Sequence, residues 1–172
     1  DNEWSDYCNK ISEIAKRLSD IGLPMSYHEH MGTIIQSEQD IYRLLDNTDD
    51  KTSLLFDTGH IFFSEGDYES ILKKYVSRVN HVHCKDIRKE ILNKSLLNDL
   101  SFRDSFLEGV FTVPGDGYIN YKPLFETLYD NKYSKWLIVE AEQDPKKANP
   151  LKYAKIGYKY FNRILSEVGY KI

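Results

Sequence analysis

The sequence lacks any long apolar run. No stretch approaches the ~20 consecutive apolar residues of a membrane-spanning helix, so membrane insertion is not expected. The first residues, Asp1-Asn2-Glu3-Trp4, carry neither the basic region nor the apolar segment of a secretory leader. Cysteine is scarce: Cys8 and Cys84 are the only two. They form no closely spaced metal-thiolate pair and no disulfide framework. Such usage suits a reducing compartment, and a cytoplasmic protein is expected. Positive charge is not in excess. Lys and Arg total 23 against 27 Asp and Glu, a net charge of -4. Nucleic-acid binding by backbone neutralisation is therefore disfavoured. Low-complexity segments and linkers are also missing, so residues 1–172 read as one domain.

What is present is a regular alternation of two hydrophobic periods. Trp4, Tyr7, Cys8, Ile11, Ala15 and Leu18 recur at helical spacing, and Ile21-Gly22-Leu23-Pro24 breaks the pattern. Residues 25–30 read as a strand and 37–45 as a helix, with Ser37 as N-cap and Asp40 completing a capping box. Residues 53–57 read as a strand, 67–75 as a helix and 79–83 as a strand. Residues 87–107 read as a partly helical insert, followed by Gly109 to Gly117. A helix over 121–129, a strand over 136–140 and a helix over 150–168 complete the chain. Strands alternating with helices imply parallel strands joined by crossover helices, an α/β fold.

Chemistry-bearing residues gather at one end of this pattern. His28, Glu29 and His30 close the first strand, and Asp57 and His60 follow the second. His81 and His83 end the third, and Glu140 and Glu142 follow the fourth. All five histidines lie at or just beyond a strand's carboxyl end, which is the functional face of a parallel α/β fold. Imidazole and carboxylate donors suit Mn, Co, Zn or Fe better than Ca. Residues i and i+2 share a face of a strand. His81 and His83 thus point the same way, with His83 nearer the mouth and the better ligand. Asp57 and Glu140 close apolar strands, where an unpaired carboxylate is costly. Blander roles suit the others: His81 packed or hydrogen-bonded behind the ligands, Glu29 in a salt bridge or at the surface, and Cys84 in the core. Asp86 and Glu142 orient neighbours, and Asp116, between two glycines, is a turn residue.

Several phrases resemble one family. They are Tyr27-His28-Glu29-His30-Met31-Gly32-Thr33, Asp57-Thr58-Gly59-His60, His81-Val82-His83-Cys84-Lys85-Asp86, Gly109 to Gly117, and Trp136 to Pro145. Together they are similar to the inosose dehydratase family of xylose-isomerase-like (β/α)8 barrels. The second and third phrases are common to that superfamily, while the last two select the dehydratases. Glu29 departs from the family pattern, where a histidine is expected. The resemblance implies a divalent metal, Mn or Co, held by Asp57, His83 and Glu140. It also implies a ligand on the first strand, where this sequence has His28 in place of the usual Glu.

The same resemblance implies a hydro-lyase of myo-inositol catabolism, converting 2-keto-myo-inositol to a trihydroxycyclohexane-dione through an enediolate. His30 and His60 are candidates for general base and acid, and Lys85 for holding a substrate oxygen or the enolate charge. A sugar isomerase or epimerase uses the same early chemistry, and a DNA-repair endonuclease of this fold is disfavoured by charge. Four strands cannot close an eight-stranded barrel. The expectation is therefore the C-terminal half of a TIM barrel, strands five to eight. Such a half needs its N-terminal half or a homo-oligomer, or is inactive alone.

Overall fold

The computed structural model describes residues 2–171. Helix α1 (Asn2–Asp20) leads to strand β1 (Ser26–His28), helix α2 (Glu38–Asp46) and strand β2 (Ser53–Asp57). Two helices follow, α3 (Thr58–Phe63) and α4 (Tyr68–Tyr75), then a 3-10 turn over Val76–Arg78 and strand β3 (Val79–Cys84). Next come β4 (Asp86–Ile87), α5 (Lys89–Leu97), α6 (Phe102–Glu108) and β5 (Phe111–Thr112). Helix α7 (Tyr121–Asp130), β6 (Leu137–Val139) and α8 (Pro150–Val168) complete the order. No described helix is long and apolar enough to cross a membrane.

Strands β1, β2, β3 and β6 form one parallel sheet in that spatial order. The expected α/β alternation therefore holds. Leu54 and Phe56 on β2, and Val82 and Cys84 on β3, are buried beneath the helices. Burying a side chain of this size stabilises by about 1.5–3 kcal/mol. The helical side of the core is supplied by Ile41, Leu44 and Leu45 of α2, Ile71 and Leu72 of α4, Leu124, Phe125 and Leu128 of α7, and Phe161 and Ile164 of α8. The opposite face of the sheet carries Leu55 and His81, which are partly buried, and Ile138, which is exposed. Among the described residues, β1 and β6 are the two edges of the sheet.

Local chemistry sets several boundaries. Ser37 caps α2 in a reciprocal capping box with Asp40, as its sequence indicates. Asn149 caps α8, Pro150 occupies its first turn, and Gly169 ends it at φ 114.

One expected boundary is corrected, and two features go beyond the expected pattern. Residues 58–63 form helix α3 directly after β2, because the Asp57 carboxylate caps the Gly59 and His60 amides. The insert is helical in α5 and α6, but Phe111–Thr112 pairs antiparallel with Asp86–Ile87, so a second small sheet crowns the first. Strand β1 stops at His28 rather than His30, and the backbone then turns, with the His30 amide bonding the Ile35 carbonyl.

Candidate metal and catalytic centre

Parallel pairing brings the ligand candidates together. Asp57 stands opposite His83 in the register of β2 and β3, and His28 opposite Leu55 on β1 and β2. Ile138 is opposite His83, so Glu140, two residues on, projects from the same side past the end of β6. Asp57, His83 and Glu140 can each offer a ligand atom, all within 4.8 Å of one another. His83 Nδ1 lies 3.0 Å from Glu140 Oε2 and 3.5 Å from Asp57 Oδ2. His28 joins through Asp57, with Nε2 3.6 Å from Oδ2.

These atoms share an unusual property. Asp57 Oδ2, His83 Nδ1, Glu140 Oε2 and His28 Nε2 are all buried and none makes a well-formed hydrogen bond, only ion-pair contacts with one another and with Lys85. A buried polar atom left unpaired costs about 1–3 kcal/mol, and an ion among Asp57, His83 and Glu140 would satisfy their ligand atoms together. Two carboxylate oxygens and imidazole nitrogen suit a borderline divalent ion. The donor set therefore fits the metal that the sequence pattern implies.

Charge organises the surroundings. Burial acts to raise the Asp57 pKa, but contacts with His28, His83 and Lys85 hold it well below the usual carboxylate range. The same contacts with Asp57 and Glu140 lift His83 to about 9. Lys85 is buried yet remains an ammonium ion, its pKa raised by Asp57, Glu142 and Glu140 against the opposing effect of burial. Its Nζ lies 2.9 Å from His60 Nε2, 3.1 Å from Glu140 Oε2 and 3.3 Å from Asp57 Oδ2, and donates to Glu142 Oε2. Despite burial, contacts with His60 and Lys85 pull Glu142 down to about 2. Burial lowers the His60 pKa, against the pull of Glu142 and Asp57, so the ring is neutral near pH 7.

His30 and His60 face each other with ring centroids 3.8 Å apart. His30 Nδ1 lies 2.8 Å from the Met31 carbonyl oxygen. A carbonyl only accepts, so Nδ1 carries a proton, and in the neutral ring the lone pair is then on Nε2. Phe102 of α6 and Phe111 of β5 wall the histidine pair, with Phe111 5.4 Å from His60 and Phe102 5.7 Å from His30. Thus the insert supplies an apolar rim that the sequence did not reveal.

His81 stands apart from the ligand cluster, beneath His83 with centroids 5.4 Å apart, and Cys84 is a core residue. Asp86 orients its surroundings, accepting from the Ile87 and Ile119 amides at 2.8 Å each. Asp116 pairs with Arg88 at 2.7 Å and accepts from Thr112, which ties the turn to the small sheet. Glu29 is a correction. It is fully buried, not at the surface, and accepts from the Asp57 amide at 2.9 Å. Because β1 ends at His28, strand alternation no longer directs the next side chain outward. Burial and the nearby Asp57 raise the Glu29 pKa strongly.

The family model of the xylose isomerase-like TIM barrel matches residues 1–170. The chain belongs to this family. Among its relatives, the rhizopine catabolism protein MocC of Rhizobium meliloti is 42% identical over 99% of this chain and 52% of its own length. The inosose dehydratase of Salmonella typhimurium is 47% identical over 96% of this chain and 55% of its own. That of Lactiplantibacillus plantarum is 45% identical over 97% and 56%. The resemblance to inosose dehydratases is thus borne out, while the chain spans about half the length of the relatives it matches.

Solved structures agree on the fold. The probable 3-DHS dehydratase AsbF of Bacillus anthracis superposes with a TM-score of 0.71 at 16% identity, over 92% of this chain and 56% of that one. The IOLI protein, solved with a bound zinc atom, gives 0.68 at 16% identity, over 94% and 55%.

Proposed function

We propose that the chain carries the metal and proton-transfer centre of an inosose dehydratase, removing water from 2-keto-myo-inositol. The observation that carries this reading is the convergence of Asp57 Oδ2, His83 Nδ1 and Glu140 Oε2, buried and without well-formed hydrogen bonds, beside the Lys85–His60 couple. The identity of 42–47% to the relatives above supports the substrate class. Asp57, His83 and Glu140 would hold Mn or Co, with His28 as the additional ligand. When bound, the ion supplies Lewis-acid polarisation of the ketone.

The remaining steps belong to side chains of this chain. His30, with its free Nε2 lone pair, takes the proton alpha to the ketone as general base. The Lys85 ammonium faces the oxygen where negative charge grows and stabilises the enediolate. The His60–Lys85 couple provides the proton that leaves with the hydroxide as water. The enol so formed takes a proton at carbon from His30 and loses its hydroxyl proton to the His60–Lys85 couple, giving the dione and restoring both groups. Phe102 and Phe111 limit water at the histidine pair, which strengthens these interactions.

We further propose that β1, β2, β3 and β6 are strands five to eight of an eight-stranded barrel. The two free sheet edges and the half-length match to relatives support this. The substrate pocket is then completed by a further half barrel, from the same protein or a second copy. Product analysis tests the reaction. The protein with its complementary half, given metal and 2-keto-myo-inositol, should yield the dione with loss of water. An epimer or isomer of unchanged mass would overturn the dehydratase reading in favour of the isomerase one.

A further inference from the structure

The ligand-like side chains form more than one set. Besides Asp57, His83 and Glu140, a set of His30, His60 and Glu142 has one ligand atom each within 4.8 Å of the others. The His28, Asp57 and His60 set joins the two, sharing Asp57 with the first and His60 with the second, and adjoining positions of this kind resemble two-metal sites, with ions about 3.5–4 Å apart. Here, however, a cation of the chain is already present. Lys85 Nζ lies against His60 Nε2 and Glu142 Oε2, and also reaches Glu140 Oε2 and Asp57 Oδ2 of the first set.

We propose that the Lys85 ammonium occupies the second cation position of this centre and keeps it mononuclear. The inference rests on the metal reading of Asp57, His83 and Glu140. Several features hold the ammonium there. Gly59 leaves room for the alkyl stem, since a Cβ at that position would approach Lys85 Cγ to 2.6 Å. Phe111 lies under the ammonium, its ring centroid 5.1 Å from Nζ. Glu142 reaches Nζ from a left-handed backbone, φ 39, which is uncommon for a residue other than glycine. A divalent ion entering the second position would have to displace Lys85 or endure its like charge at contact distance. One ion and one ammonium would thus share two carboxylates, Asp57 and Glu140. The ammonium is a charge of the chain itself, which no chelator removes.

Metal stoichiometry tests this directly. The metal-free chain is equilibrated with Co²⁺, desalted and analysed for bound metal, with circular dichroism confirming the fold. Wild type should retain about one ion per chain, and Lys85→Ala and Lys85→Gln about two, as in bridged sites. Adding Glu142→Gln to either variant should return the count to about one. Two ions in wild type, or one in both folded Lys85 variants, would overturn the proposal. The wild-type Mn²⁺ electron paramagnetic resonance spectrum reads the same point without substitution. An uncoupled spectrum agrees, and a spin-coupled pair contradicts. No retained ion in wild type is a different failure, because it removes the metal reading on which the proposal rests.

Discussion

Gly59 lies against the stem of Lys85 so closely that a methyl group there would approach Cγ, Cβ and Cδ of the lysine to 2.6–2.8 Å. The glycine sits in α3, immediately after the Asp57 cap. Alanine is the better helix former by about 1 kcal/mol, so propensity alone favours Gly59→Ala. The contact with a fully buried lysine opposes it, and overpacking of this kind costs about 1–3 kcal/mol. A lower denaturation midpoint is expected for Gly59→Ala, together with weaker Lys85–Glu142 pairing. A raised midpoint would show that the stem moves aside freely.

Asp57 and Glu140 should separate structure from metal retention. Asp57 caps α3 with one oxygen and faces His28, His83 and Lys85 with the other. Its removal leaves the buried Lys85 short of a partner, and breaking such a pair costs about 3–5 kcal/mol. Glu140 is half-exposed and caps nothing. Asp57→Ala should lose both stability and metal, and Glu140→Ala mainly metal. Urea titration of the metal-free variants distinguishes them, and equal midpoints would refute the assigned double role of Asp57.

The buried hydroxyl pair beneath the centre is a stability element. The Thr58 hydroxyl donates to the Lys85 carbonyl at 2.8 Å, so Tyr121 is the donor in its 2.9 Å contact with Thr58. Tyr121→Phe removes one bond, and Thr58 keeps its others. The expected loss is about 0.5–1.5 kcal/mol, read from chemical denaturation with metal retention unchanged. A loss of bound metal would mean that Tyr121 does more than pack.

Asp86 gives a signed pH effect. Burial raises its pKa from 3.8 to about 6, against the backbone amides that it accepts from. A folded value above the unfolded one means that its contribution is fully present below pH 3.8. That contribution is lost as pH rises through about 6. Wild type should therefore lose stability relative to Asp86→Asn across this window. Denaturation of both proteins at intervals between the two values reads the difference, and parallel curves would contradict it.

Much of the centre was legible because it follows from strand chemistry. Asp57 ends an apolar strand, Glu140 follows one and His83 lies next to the end of β3, and parallel register does the rest. Glu29 was not legible, because alternation stops where β1 ends and only the tertiary fold brings it to the Asp57 amide. The small antiparallel sheet leaves no mark in the sequence for a related reason. Each of its strands has two residues, too few for a period to register. The link from Glu142 to Lys85 depends on a left-handed backbone at a glutamate, which no local preference announces. The helical insert was recognised, but its delivery of Phe102 to His30 depends on long-range packing.

Calorimetric titration of Mn²⁺ into wild type, Glu140→Ala, His83→Ala and His81→Ala tests the central claim most directly. His81 shares a strand face with His83, yet lies outside the ligand sets. Loss of a supporting residue around a metal typically costs 10–100-fold in affinity, and loss of a ligand should cost at least that. Glu140→Ala and His83→Ala should therefore weaken binding by about 100-fold or more, with His81→Ala close to wild type. Undiminished binding in Glu140→Ala and His83→Ala, or an equal loss in His81→Ala, would contradict the centre described above.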